Sequence, residues 1–178
     1  MFLNSYLNTN AENKELVDSI YQKIVTISRS KPFYEFHSVP DTLDGRFDLL
    51  VLFSIIVTFF MHNSGSKGRI LSQILFDKIF LDLDLSLREL GAGDAGVHIK
   101  IKNMVELYMG RQKVYCNCLE KNDFKAFKIH IVKNIYRNVD DYSNSPDFLI
   151  DYCKKTCTRF HEKKGKSFLT NEFEFPII

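Results

Sequence analysis

Residues 71–102 read LSQILFDKIFLDLDLSLRELGAGDAGVHIKIK, and two periodicities compete in them. Leu81-Asp82-Leu83-Asp84-Leu85-Ser86-Leu87 alternates strictly, as does Val97-His98-Ile99-Lys100-Ile101-Lys102, which locally spells a β-hairpin. Over a longer window Leu71, Leu75, Ile79, Leu83, Leu87 and Leu90 recur every three or four residues, and so do Val97, Ile101, Met104, Val105, Tyr108, Tyr115 and Leu119. A repeat held over about twenty residues outweighs one held over about seven, so the stretch predicts two long helices joined at the glycines. Gly91, Gly93 and Gly96 match G-x-G-x-x-G literally, but a dinucleotide site needs a strand before the motif and a parallel strand with an acidic end after it. Between helices the same glycines make a turn, with Gly91 in the left-handed conformation, Gly93 for tightness and Asp94 capping the next helix.

Outward from this pair, Leu16, Ile20, Ile24 and Ile27 define an amphipathic helix over residues 11–29, with Thr9 or Asn10 as its N-cap. Lys31-Pro32 breaks that pattern, and residues 32–40 (PFYEFHSVP) are expected to form a connection pinned to the core by its rings. Asp41 is placed to cap a helix over residues 42–61 that is apolar nearly all round and therefore central, ended by Asn63-Ser64-Gly65-Ser66. Its apolar run is too short for a membrane span, which needs about 20 such residues. Asp123 opens a helix carrying Phe124, Phe127, Ile131, Ile135 and Val139. Ser145-Pro146 opens another carrying Leu149, Cys153, Thr156 and Phe160, closed by Gly165 and followed by an extended tail over residues 168–178. The expectation is an all-α bundle of about six or more helices in a single domain over residues 1–178.

Composition agrees with a packed helical protein. The 178 residues include sixteen Phe and eight Tyr, and 24 Lys+Arg nearly balance 22 Asp+Glu, which excludes disorder and a general nucleic-acid binder; no specific DNA partner is expected. Four irregularly spaced cysteines do not form a disulfide scaffold and suit a reducing compartment. The first thirty residues have neither a basic n-region with an apolar stretch nor an Arg before Arg29, so no secretory signal or transit peptide is expected.

Catalytic and metal constellations are absent from the spacing. Cys153, Cys157 and His161 share a helix face, but the outer pair spans ~12 Å along the axis, too far for one Zn²⁺. Cys116 and Cys118, two apart on a helix, point to different sides. His37, His62, His98 and His130 are scattered, His161-Glu162 lacks the HExxH spacing, and no G-x-S-x-G occurs. Neither cofactor nor metal is expected. A haem or metal carrier built on these His and Cys residues is the alternative in another class, and a helical interaction module is a third.

Charge is unevenly placed. Residues 41–94 hold eight acids and five bases, whereas Lys154, Lys155, Arg159, Lys163, Lys164 and Lys166 are opposed only by Glu162. This basic end either meets anionic lipid or RNA phosphates, or is a solvated helix end favoured by its dipole. On the third helix Gln73, Asp77, Asp84 and Arg88 fall within about 60° of arc, with Leu81 and Leu85 beside them, the pattern of a charged face that leaves leucines open to a partner.

Three consecutive stretches, VPDTLDGRFDLLVLF, ILFDKIFLDLDLSLRELGAGD and KIKNMVELYMGR, together resemble the ubiquinol–cytochrome c chaperone family, over residues 31–115 closely and both flanks more loosely. Leu90, Ala92 and Phe53 stand where that pattern has methionine, valine and histidine. The resemblance implies an all-helical, non-catalytic assembly factor for respiratory complex III. Such a factor receives newly made cytochrome b or a related membrane-protein client and, in mitochondria, works with a small partner near the ribosome. It also implies a bacterial-type member in the cytoplasm or peripheral at the inner membrane, or on the matrix side if eukaryotic. Its motifs carry over to Asp41, Gly45, Arg46, Phe47, Asp77, Asp84, Arg88, Glu89, Gly91, Gly93, Asp94, Tyr108, Gly110 and Arg111. Stripe and motifs together nominate Arg46, Gln73, Asp77, Leu81, Asp84, Leu85, Arg88, Glu89, Asp94 and Arg111 for client or partner binding, and Gly91, Gly93 and Gly110 as structural turns.

Overall fold

A computed structural model describes residues 4–91, 93–137, 139, 145–162, 166–170 and 172–178. Its α-helices are α1 (Asn4–Leu7), α2 (Ala11–Ser28), α3 (Lys31–Glu35), α4 (Leu43–His62), α5 (Ser66–Glu89), α6 (Asp94–Glu120), α7 (Phe124–Ile135) and α8 (Ser145–Glu162), with a 3-10 turn at Lys166–Phe168. Among the described residues there is no strand, so the alternating leucines of residues 81–87 wind helically, as the longer period requires.

α4 forms the axis. Fifteen of its residues are buried, and α2, α5, α6, α7 and α8 all lean on it. Each fully buried Val, Leu, Ile or Phe contributes about 1.5–3 kcal/mol, so α4 makes the largest apolar contribution of any one helix. Its buried hydroxyls are satisfied internally: Ser54 donates to Leu50 O at 2.6 Å and Thr58 to Ser54 O at 2.9 Å. Entry into α4 depends on Gly45, where a Cβ would lie 1.9 Å from Pro40 O. Aromatic rings close the far end, where Phe60, Phe160, Phe168, Phe173 and Phe175 stack edge to face or in parallel. The tail is extended there, held by Lys23 donating to Phe173 O at 2.9 Å and Tyr152 to Pro176 O at 2.7 Å.

Several expected boundaries are corrected. Asn10, not Thr9, caps α2, its side chain accepting from Asn13 N at 2.9 Å. Thr42 rather than Asp41 caps α4, because its hydroxyl reaches Gly45 N at 3.1 Å while Asp41 turns to Arg46. Residues 32–40 are partly helical, since Pro32 sits in the first turn of α3, where a missing N–H costs nothing. Only Phe33 of its rings is fully buried, and Phe36 is 73% exposed. α5 begins at Ser66, before the first periodic leucine, and α7 ends at Ile135, short of Val139. Gly93 occupies the N-cap of α6 and Asp94 is the first helical residue, its carboxylate engaged by Arg88. Gly110 is no turn: it lies inside α6, exposed, with open space where a side chain would be. Gly165 lies outside the described residues.

Candidate functional site

The hairpin of α5 and α6 carries the most exposed apolar surface near the candidate residues. Leu87 and Val97 are buried against the turn, yet they stand apart from the continuous core that gathers the other helices. Around them Leu85, Leu90 and Ile99 are 51%, 72% and 60% exposed. Gly91 makes the turn possible: its φ of 84° is left-handed, and its N–H donates to Arg88 O at 2.9 Å. Arg88 then ties the two helices together. It donates to Asp84 Oδ2 at 2.6 Å along α5 and to Asp94 across the turn. These carboxylates push the guanidinium further above its ordinary range, the hydrogen bond to Asp84 first. The result is a charged clamp at the hairpin end, where Leu85, Leu90, Ile99 and Glu89 are each exposed.

The polar stripe of α5 divides at its middle. Asp77, expected to face a partner, is 2% exposed. α1 covers it, and its carboxylate accepts from Ser5 N at 3.1 Å, from the Ser5 hydroxyl, and from Gln73 Nε2 at 2.9 Å. A carboxylate near the start of a short helix satisfies amide groups that the helix leaves unpaired. Leu81 is half-buried against the core. Only the lower half of the stripe, from Asp84 to Glu89, remains with the hairpin tip. Arg46 is exposed, but 2.7 Å from Asp41 rather than beside that tip.

Arg111 is also removed from the surface. Its Nη1 lies 2.7 Å from Asp48 Oδ1, with side-chain exposures of 7% and 2%. Arg137 approaches Asp48 Oδ2 at 2.7 Å, and the Arg111 guanidinium rests 5.8 Å from the centre of the Phe47 ring. Burial pushes the Asp48 carboxyl up, and the two arginines pull against that shift. Sequence reasoning missed Asp48. Its signal was one acid embedded in the apolar run that begins at Phe47, since a charge in such a place needs a buried partner.

A second feature opens between the end of α4, the first half of α5 and α6. This cleft of about 760 Å³ is walled by Phe59, Phe76, Val105 and Met109 and reached by Arg69 and Lys113. Tyr108 at its base is fully buried, and its ring meets Phe76 and Phe80 edge on. The cysteines are free: Cys153 and Cys157 are buried and their thiols pushed up by burial, Cys157 to about 12. Among the described residues no group of His, Cys, Asp and Glu is placed to hold a metal ion, and no helix is long and apolar enough to cross a membrane.

Comparison with known families gives a match to Ubiquinol-cytochrome C chaperone over residues 35–175. The chain belongs to that family. A solved structure, described as the crystal structure of the Cbp3 homolog from Brucella abortus, is similar at a TM-score of 0.83 with 28% identity, covering 99% of this chain and 97% of that one. A comparison with curated proteins gives no match. Within this family member the motif containing Phe47-Asp48 and the one ending in Arg111 meet in the buried ion pair, while the motif ending in Asp94 builds the clamp. Phe53, one of the departures from the family pattern, is buried among Phe33, Tyr152 and Phe175.

Proposed function

We propose that this chain is a non-catalytic assembly chaperone for respiratory complex III. In this reading it holds an apolar segment of newly made cytochrome b, or of a related membrane-protein subunit, against the tip of the α5–α6 hairpin. The observation that carries this reading is that Leu85, Leu90 and Ile99, on the ends of α5 and α6 that the Arg88 clamp joins, are all exposed. Exposed apolar surface bordered by charge suits reversible contact with a segment on its way into a membrane. The carried-over residues Asp84, Arg88, Glu89 and Asp94 supply the border, with Arg46 a separate exposed candidate. Family membership supports the chaperone role, and the likeness to the Cbp3 homolog supports the assembly pathway.

Tagged protein is recovered from membranes of its host, comparing wild type with Leu85→Glu/Leu90→Glu and with Asp84→Lys. Wild type is expected to retain cytochrome b, and both variants to lose it by about tenfold, the effect of roughly 1.4 kcal/mol. Equal recovery by all three would reject the hairpin tip, and absence of cytochrome b from wild type would reject the client. Exposed Lys154, Lys155 and Arg159 on α8 support a peripheral contact with anionic membrane. Lys163, Lys164 and the side chain of Lys166 lie outside what the structure describes. Flotation with anionic vesicles is expected to fall with salt, and salt-independent binding would discard this contact. A small partner or the ribosome is a further proposed contact, tested in the same pull-downs.

A further inference from the structure

The tail over residues 172–178 lies on the bundle as a bound peptide lies on its receptor. Among the described residues its last backbone–backbone hydrogen bond runs from Glu172 N to Ser167 O at 2.8 Å, and from Phe173 onward it is held by side chains of the bundle. Lys23 of α2 donates to Phe173 O at 2.9 Å and pairs with Glu174 at 2.9 Å. Tyr152 of α8 donates to Pro176 O at 2.7 Å, and burial pushes its phenol up, so it stays a donor at neutral pH. Both grips take main-chain carbonyls, which every peptide offers. The rings are selective. In extended backbone alternate side chains face the same way, so Phe173 and Phe175 turn inward while Glu174 stays exposed. Phe173 lies 5.6 and 4.6 Å from Phe160 and Phe168 between ring centres, and Phe175 lies 5.7 and 5.5 Å from Phe53 and Phe160. Ile177, past the second grip, is 97% exposed.

We propose that the slot formed by Lys23, Phe53, Tyr152, Phe160 and Phe168 is a binding site for an extended peptide with aromatic residues two apart, which the chain's own tail occupies as a detachable strap. Main-chain grips give affinity and pockets for alternate side chains give selection, as in strand-like peptide recognition generally. The segment already seated in the slot identifies the class of occupant. None of the slot residues belongs to α5 or α6, so this site is independent of the hairpin tip. Being joined to the bundle, the tail competes at an effective concentration on the order of millimolar, which hides the slot from dilute peptide.

The probe is a fluorescent peptide of residues 172–178, EFEFPII, with a control peptide carrying Phe173→Ala/Phe175→Ala. The full chain is given the same Phe173→Ala/Phe175→Ala change, which disables its own tail as a competitor. This variant is expected to bind the probe about tenfold more tightly than wild type does, and about tenfold more tightly than it binds the control. Bound probe is also expected to raise the variant's thermal midpoint. Tyr152→Phe in that background keeps the ring, removes one grip and is expected to weaken the probe about fivefold. A second measurement leaves the tail unaltered. In wild type, excess unlabelled peptide is expected to move the NMR amide signals of the tail to those of a free segment while the signals of α4 stay in place. Equal binding of probe and control, binding no tighter in the variant than in wild type, or tail signals unmoved by excess peptide would each overturn the proposal. Should the altered tail unfold the chain, the wild-type titration decides.

Discussion

Asp48 on α4 and Arg111 on α6 lie 2.7 Å apart, almost wholly removed from water, and this contact joins α6 to the central helix. Neither charge could be buried alone. Their attraction offsets desolvation only while both are present, and Arg137 completes the arrangement from the end of α7 at 2.7 Å.

Removing one member therefore costs more than removing both. Asp48→Leu is expected to lose about 3–5 kcal/mol of stability by leaving Arg111 buried without its acid. Asp48→Leu/Arg111→Met is expected to lose less than Asp48→Leu alone. Urea unfolding of both variants and of Arg111→Met measures this, and additive losses would mean that the pair is not energetically coupled.

Two glycines of the family motifs should respond in opposite ways. Gly45→Ala drives a methyl into Pro40 O and is expected to destabilise by about 2 kcal/mol or more, since backbone must move. Gly110→Ala, inside a helix with open space beside it, is expected to stabilise by about 0.5–1 kcal/mol. Thermal unfolding of both variants gives the signs.

His37 lies flat on Phe148, ring centres 3.4 Å apart, and burial lowers its pKa below 6.5. The unfolded chain therefore takes up this proton first as pH falls. Its contribution is complete above about pH 6.5 and declines as pH drops toward the folded value. His37→Phe is expected to show a shallower loss of urea midpoint between about pH 7.5 and pH 5.5 than wild type. An unchanged slope would exclude His37 as the source.

The cysteines are expected to react in order of exposure. In the native protein a maleimide should label Cys116 slowly, because burial raises its thiol to about 11, and should spare Cys118, Cys153 and Cys157. Denaturant should open all four. Mass spectrometry after timed labelling checks this, and rapid native labelling of Cys153 would contradict its placement at 0% exposure.

Much was legible in the residues themselves. The long leucine period decided helix over strand for residues 71–90, Gly91 marked the left-handed turn, and the apolarity of residues 49–57, interrupted only by Ser54, marked the central helix. The consecutive motifs carried the family. Period 3.6 assigns each side chain an angle on its own helix, and a turn residue reports its own backbone, so these features need no knowledge of neighbours.

What lies opposite that angle was decided only in three dimensions. Asp77 and Asp84 share a stripe, yet α1 folds over the first and leaves the second at the tip, where Arg88 holds it. Arg111 resembled a surface cation until Asp48 came to meet it from another helix. Local chemistry sets the direction in which a side chain points; whether it finds water, a carboxylate or a helix start there depends on contacts between segments far apart in the chain, which the pattern along one helix does not encode.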